Sequence, residues 1–219
     1  MGIFNGTSNF ILSKMTHEQT TFKDALEEAQ RLGFAEADPT DDVEGVDAAR
    51  KVVITSYLSF NQVIKLNDVK LVGISDITLA DINAASALNY KIKLIGKGTY
   101  ENGYVNASVE PTLIHKNHQL AAVENEYNAI YVIGDAVGDT MFYGKGAGSL
   151  ATGSAVVSDL LNVALFFESN LHTLPPHFEL KTEETKEMMD GAEPVVIQEK
   201  SNYYIVCLLY TSDAADERS

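Results

Sequence analysis

Between residues 36 and 47 the chain carries six carboxylates, Glu36, Asp38, Asp41, Asp42, Glu44 and Asp47, with no base before Arg50. Carboxylates massed this closely repel one another, so a fold keeps them in water or gathers them around a cation. A calcium loop fails on its last ligand. With Thr40, Asp42 and Glu44 at positions one, three and five, Gly45 falls correctly at six. Position twelve is then Lys51, where a bidentate Glu is required. Asp47 and Lys51 stand four residues apart, so on a helix they share a face. As an exposed ion pair they would contribute about 0.3–0.5 kcal/mol. Beside apolar neighbours the same pair has a second use, because a lysine held near a carboxylate can hand a proton to a developing alkoxide. Val52-Val53-Ile54 follow Lys51 directly and draw its helix toward the core. The acidic loop ahead of it offers carboxylates suited to a substrate ammonium group.

Gly144-Lys145-Gly146-Ala147-Gly148, ahead of an apolar helical stretch, is the second candidate. Glycines let the backbone approach a ligand, and free amides at a helix start attract phosphate or a polarised carbonyl. A simple tight turn would use the same residues. The run does not match the G-x-x-x-x-G-K-[ST] phosphate loop, and no G-x-G-x-x-G follows a first strand. His17, His115, His118, His172 and His177 are scattered, and the pair at 115 and 118 lacks a third ligand, so no metal site is expected. There is no G-x-S-x-G elbow and no Cys-His pair. Asn5-Gly6-Thr7 matches a glycosylation acceptor but reads equally as a turn with a helix cap.

The elements that must position these residues read as α+β. Thr21, with Asp24 at the third position, predicts a capped helix over about 22–32 that Gly33 ends. An acidic loop over residues 36–42 follows, and a helix runs from about Glu44 to Ser59. A short strand is expected over 69–74. A capping box of Thr78 and Asp81 opens a helix to about Leu88. Strands at 90–97 and 104–109 flank the turn Glu101-Asn102-Gly103. A second hairpin pairs 129–133 with 140–143, and a long helix spans about 149–167. Helices grouped around hairpins imply a mixed β-sheet covered by helices rather than a regularly alternating parallel sheet. Further strands are expected at 195–198 and 202–206. The segment from Cys207 to Ser219 continues no pattern and reads as a non-native tail. The chain is expected to be truncated at both ends.

Composition narrows the partners. Asp plus Glu number 31 against 16 Lys plus Arg, a formal charge of −15 in 219 residues. That balance disfavours nucleic acid and anionic membrane, which need a basic face. The single cysteine forms no internal disulfide, which suits a reducing, cytoplasmic setting. No apolar stretch approaches the roughly 20 residues of a spanning helix.

At these residues the chain resembles homoserine dehydrogenase, in its catalytic, substrate-binding domain. Gly2 through Leu12 is similar to that family's G-I-x-N-G-T-x-N-x-I-L, and Gly33 through Lys51 is similar to its signature. Asn128-Ala129-Ile130 and Gly144 through Asp159 are similar to the closing segment of the same domain. The resemblance implies a catalytic domain over 1–168, a linker and the start of an ACT-like regulatory module over 169–206, and the tail over 207–219. It implies reversible reduction of L-aspartate 4-semialdehyde to L-homoserine, in threonine and methionine synthesis, with NADP or NAD and NADPH favoured.

In that reading Lys51 is the proton donor to the aldehyde oxygen and Asp47 supports it. Glu36 holds the substrate amino group, and Asp42, Gly6, Thr7 and Phe34 complete the substrate pocket. Gly148 and Gly146 meet the cofactor. A homodimer is implied. The family's N-terminal Rossmann domain, with its glycine loop and a second active-site lysine, is not in this sequence, so the isolated chain is expected to be inactive. As a rival reading, the domain would be a dimerising scaffold without catalysis. Lys145, Ala151 and Gly153 stand where the family pattern has Pro, Pro and Ala.

Overall fold

The computed structural model describes residues 1–168 together with the short strands Val195–Ile197 and Ile205–Cys207. Two hairpins supply most of a six-stranded sheet. Strands β3 (Tyr90–Glu101) and β4 (Tyr104–His115) pair antiparallel from Tyr90 opposite His115 to Glu101 opposite Tyr104. Their turn, Asn102-Gly103, has φ of 55° and 87°, the left-handed geometry that makes Asn-Gly a favoured two-residue hairpin loop. Strands β5 (Tyr127–Gly134) and β6 (Gly138–Lys145) form the second hairpin. The short strand β1 (Gly2–Ile3) pairs antiparallel with both β3 and β5 and so joins the hairpins. Strand β2 (Lys70–Leu71) adds to β4 in parallel, giving the order β2-β4-β3-β1-β5-β6. The sheet is mixed and the fold is α+β, as expected.

Both strands of the first hairpin run longer than their sequence pattern predicts, and the expected strand over 69–74 is only two residues. Gly98 and Pro111 account for the first difference. Gly98 is a strand residue whose missing Cβ makes room for Ser56, 2.5 Å from where that atom would lie. Pro111 falls beyond the last residue β2 covers, Val109, where β4 is an edge and a missing N–H is tolerated.

Helix α1 (Gly6–Glu18) is capped by Asn5, whose Oδ1 accepts the Ser8 N–H at 2.8 Å. It shows no amphipathic period because eight of its residues, from Thr7 through Ser13 and Met15, are buried. Helix α2 (Phe22–Arg31) starts at Thr21, which accepts the Asp24 N–H, and Gly33 follows with φ 80°. The acidic stretch is not all loop. Pro39 precedes a single helical turn, α3 (Thr40–Val43), and Gly45 at φ 81° redirects the chain into α4 (Val46–Phe60), two residues later than the pattern predicts. The Thr78–Asp81 capping box opens α5 (Leu79–Ala87). Helix α6 (Ser149–Glu168) follows the glycine run.

Met1–Thr152 forms one compact unit and Gly153–Ser219 another. In the second, Val195–Ile197 and Ile205–Cys207 pair antiparallel as β7 and β8, where strands were expected. The rest of the expected linker and regulatory segment (169–206) and of the tail (207–219) lies outside the described residues. Among those described, no helix is long and apolar enough to cross a membrane.

Helix α4 crosses the β3–β4 hairpin closely. A Cβ on Gly96 would stand 2.4 Å from Val52 Cγ2 and 2.6 Å from the Phe4 ring. Gly96→Ala is therefore expected to destabilise the fold by about 1–3 kcal/mol through overpacking. A urea midpoint unchanged from wild type would count against this close packing.

Candidate functional site

Asn5 follows β1, caps α1 and still has its amide N–H groups to spend. Nδ2 donates to Asp42 Oδ1 at 2.6 Å and to Asp47 Oδ2 at 3.0 Å. Gly45 turns the chain between α3 and α4, and the two carboxylates so arrive at one amide. Burial raises the Asp42 pKa above its ordinary value, the neighbouring Asp47 charge pushes the same way, and donors from Asn5 and Thr7 oppose both. Asp47 is only 4% exposed, and its Oδ1 has no hydrogen-bond partner.

One turn along α4, Lys51 Nζ donates to Asp47 Oδ2 at 2.8 Å and to the Phe4 carbonyl at 3.2 Å. An ammonium has three N–H donors, so one remains for an acceptor outside this pair. The Lys51 side chain is 42% exposed, whereas that of Asp47 is buried. It forms part of the wall of a cleft of about 370 Å³, with Phe4, Thr55, Asn128, Tyr143 and Gly146 among the other lining residues. The amine thus lies in a hollow, next to a buried anion.

The remaining expected residues fall into three places. Thr7 Oγ1 donates to the Phe34 carbonyl at 2.5 Å, and the Phe34 ring packs on Phe10 with centroids 4.9 Å apart. Gly6 faces the backbone of Glu126, whose oxygen would be 2.7 Å from a Cβ there. Thr7 and Phe34 therefore pin the loop after α2 to the start of α1, and Gly6 lets the Glu126 backbone approach that same helix start. Gly146 lines the cleft with Lys51. Glu36 is exposed on the loop between α2 and α3, with its backbone carbonyl accepting from Gln30. Gly148 has φ 109° and open space around it, just ahead of α6. Neither Glu36 nor Gly148 is among the cleft-lining residues. Among the described residues, no group of three His, Cys, Asp or Glu side chains is arranged to hold a metal ion.

Sequence reasoning missed Asn5 as a clamp, the Phe4 carbonyl, Asn128 and a buried lysine. Lys93 on β3 is 1% exposed. Its Nζ donates to the Val123 carbonyl at 2.6 Å, to Asn9 Oδ1 at 3.0 Å and to Glu124 Oε2 at 3.2 Å. Glu124 also pairs with Lys91, and Asn9 Nδ2 donates to the carbonyls of Val123, Asn125 and Tyr127. This knot fastens α1 to the segment that leads into β5. Lys91 and Lys93 alternate with Ile92 and Leu94, so the strand pattern reads Lys93 as facing solvent and carried no signal of its burial.

Burial pushes the Lys93 pKa down to about 8, against the pull of Glu124. Burial would raise Glu124, but the Lys93 and Lys91 charges outweigh it and hold the carboxyl at about 2, below its ordinary 4.5. The unfolded chain then binds the extra proton between those values, so Glu124 contributes stability above pH 4.5 that is lost as pH falls toward 2. Urea midpoints should drop from pH 5 to pH 3, and Glu124→Gln should flatten that drop. An unchanged slope in the variant would remove Glu124 as its source.

All of this geometry falls within residues 1–161, which match the family model described as homoserine dehydrogenase. Homoserine dehydrogenase of Bacillus subtilis (strain 168) is 55% identical over 163 residues, 74% of this chain and 38% of its own length. That of Pseudomonas aeruginosa is 46% identical over 176 residues, 80% of this chain and 41% of its own. The chain thus spans about 40% of the length of these curated relatives. Among solved structures, S. aureus homoserine dehydrogenase at pH 7.5 superposes with a TM-score of 0.75 at 85% identity, covering 85% of this chain and 46% of that one. A hyperthermophilic archaeal homoserine dehydrogenase mutant in complex with NADPH gives a TM-score of 0.62 at 30% identity, covering 75% and 46%. By the family match over residues 1–161 and by these relatives, this chain belongs to the homoserine dehydrogenase family.

Proposed function

We propose that this chain provides the substrate pocket and the proton-transfer group for NAD(P)-dependent interconversion of L-aspartate 4-semialdehyde and L-homoserine, a step of threonine and methionine synthesis. One observation supports it above the others: the Lys51 ammonium, held by Asp47 and the Phe4 carbonyl, sits in the wall of a cleft with a donor to spare. Negative charge grows on an aldehyde oxygen when its carbon is reduced, and an ammonium within reach both stabilises that charge and supplies the proton. In the reverse direction Lys51 takes the proton back from the hydroxyl. Asp47 keeps the amine in place. Asp42, with Gly6, Thr7 and Phe34, shapes the substrate side, and Glu36 meets the substrate amino group from its exposed loop.

The cleft suits a flat ring with polar edges. Apolar side chains such as Ile130 and Phe142 share its lining with Asn128 and Lys51. A nicotinamide dinucleotide, when bound, exchanges hydride with the substrate carbon, and Gly146 and Gly148 are the residues that would hold it. NADPH is favoured over NADH, in keeping with the archaeal relative's complex. Exposed Ile133 and Val137 at the far end of the β5–β6 hairpin support pairing of two copies.

The test is a chimera in which residues 1–167 replace the matching segment of the B. subtilis relative. NADPH-dependent reduction of aspartate semialdehyde is expected within about tenfold of the parent's rate. A folded, dimeric chimera with no turnover would overturn the catalytic reading and leave the domain a scaffold.

A further inference from the structure

Asn128 opens a question that the acid–lysine pair does not answer. It stands near the start of β5, lines the cleft and points its amide at two different parts of it. Nδ2 lies 3.5 Å from the Phe4 carbonyl, the same oxygen that accepts from Lys51 Nζ. The same nitrogen also faces the glycine run. A Cβ at Gly146 would stand 1.9 Å from Nδ2 and 2.8 Å from Cγ of Asn128, and the nearest atoms to it are all Asn128's own. Oδ1 is buried without a hydrogen-bond partner. An unsatisfied buried acceptor in a native fold calls for an explanation beyond packing, because an apolar side chain would fill the space without that penalty.

We propose that Asn128 is a positioning residue that ties the glycine run to the Lys51 ammonium by packing on Gly146 and sharing the Phe4 carbonyl with Lys51. The amide N–H steadies the oxygen against which Lys51 is aimed, and the body of the side chain fixes the height of the backbone at Gly146. Lys51 and Gly146 stand 95 residues apart in the chain, and the Asn128 side chain reaches the surroundings of both. Position 146 is glycine because Asn128 occupies its side-chain space. In catalytic terms this rests on the function proposed above, whereas the tie itself is a property of the chain alone.

Two experiments separate those levels. In the chain itself, Asn128→Ala is expected to speed amide hydrogen exchange over residues 144–147 by at least tenfold. Gly146→Ala is expected to do the same by displacing Asn128, and the double variant should be no faster than Asn128→Ala alone. Additive effects, or unchanged exchange in Asn128→Ala, would overturn the tie.

In the B. subtilis chimera, Asn128→Ala and the space-filling Asn128→Leu should both lower kcat about tenfold with KM for the semialdehyde within twofold. Wild-type kcat in Asn128→Leu would show a packing role only and overturn the part assigned to the N–H. A chimera inactive before any substitution counts against the proposed function, and the exchange measurements then decide the tie without it.

Discussion

Replacing Lys51 by Ala in the chimera is expected to lower kcat by about 10²–10⁴-fold, the range that a positioned acid or base contributes. The geometry argues for the upper part of that range. Nζ has two of its donors committed, to Asp47 and to Phe4, which fixes where the remaining one points. A water molecule entering the truncated site has no such orientation and is a far weaker acid. Substrate dissociation constants should change by less than about threefold, because Asp42, Thr7 and Phe34 are bound to one another through Asn5 and α1 and not through the amine. Lys51→Arg should not rescue, since a guanidinium keeps its proton throughout the working pH range. Near-normal turnover in Lys51→Ala would remove the residue from proton transfer.

The second large effect is on stability. Glu124→Gln is expected to cost near the low end of the roughly 3–5 kcal/mol that follows from stranding one charge of a buried pair. Lys93, at 1% exposure, would keep only neutral acceptors from Asn9, Ser13 and Val123. Lys93→Met should cost clearly less. Glu124 is 22% exposed and retains Lys91, and methionine fills much of the vacated stem. Equilibrium urea unfolding at pH 7 measures both. A Lys93→Met variant less stable than Glu124→Gln would reverse the asymmetry and sink this account of the knot.

Much of the fold was legible where local chemistry declares itself. Thr21 with Asp24, Thr78 with Asp81, and Asn102-Gly103 each satisfy backbone groups within a few residues, so each boundary could be read directly. Helix α1 was not, because burial on both sides erases the period that reveals an amphipathic helix. The extent of β3 and β4 was hidden for a related reason: Gly98 and Pro111 look like breaks until Ser56 and the short reach of β2 are known. The site divided along the same line. Asp47 and Lys51 lie four apart on one helix, and their spacing alone brings them together. Asn5 and the Phe4 carbonyl arrive from the link between β1 and α1 and Asn128 from β5, more than 35 residues away, and no spacing rule connects them.

The double duty of Asn5 has a thermal consequence. One amide both closes the first turn of α1 and clasps two carboxylates from α3 and α4. Warming that frays this helix end must also release the acids, and the alignment of Lys51 goes with them. Loss of competence would then precede global melting, with the opening turn of α1 acting as its fuse.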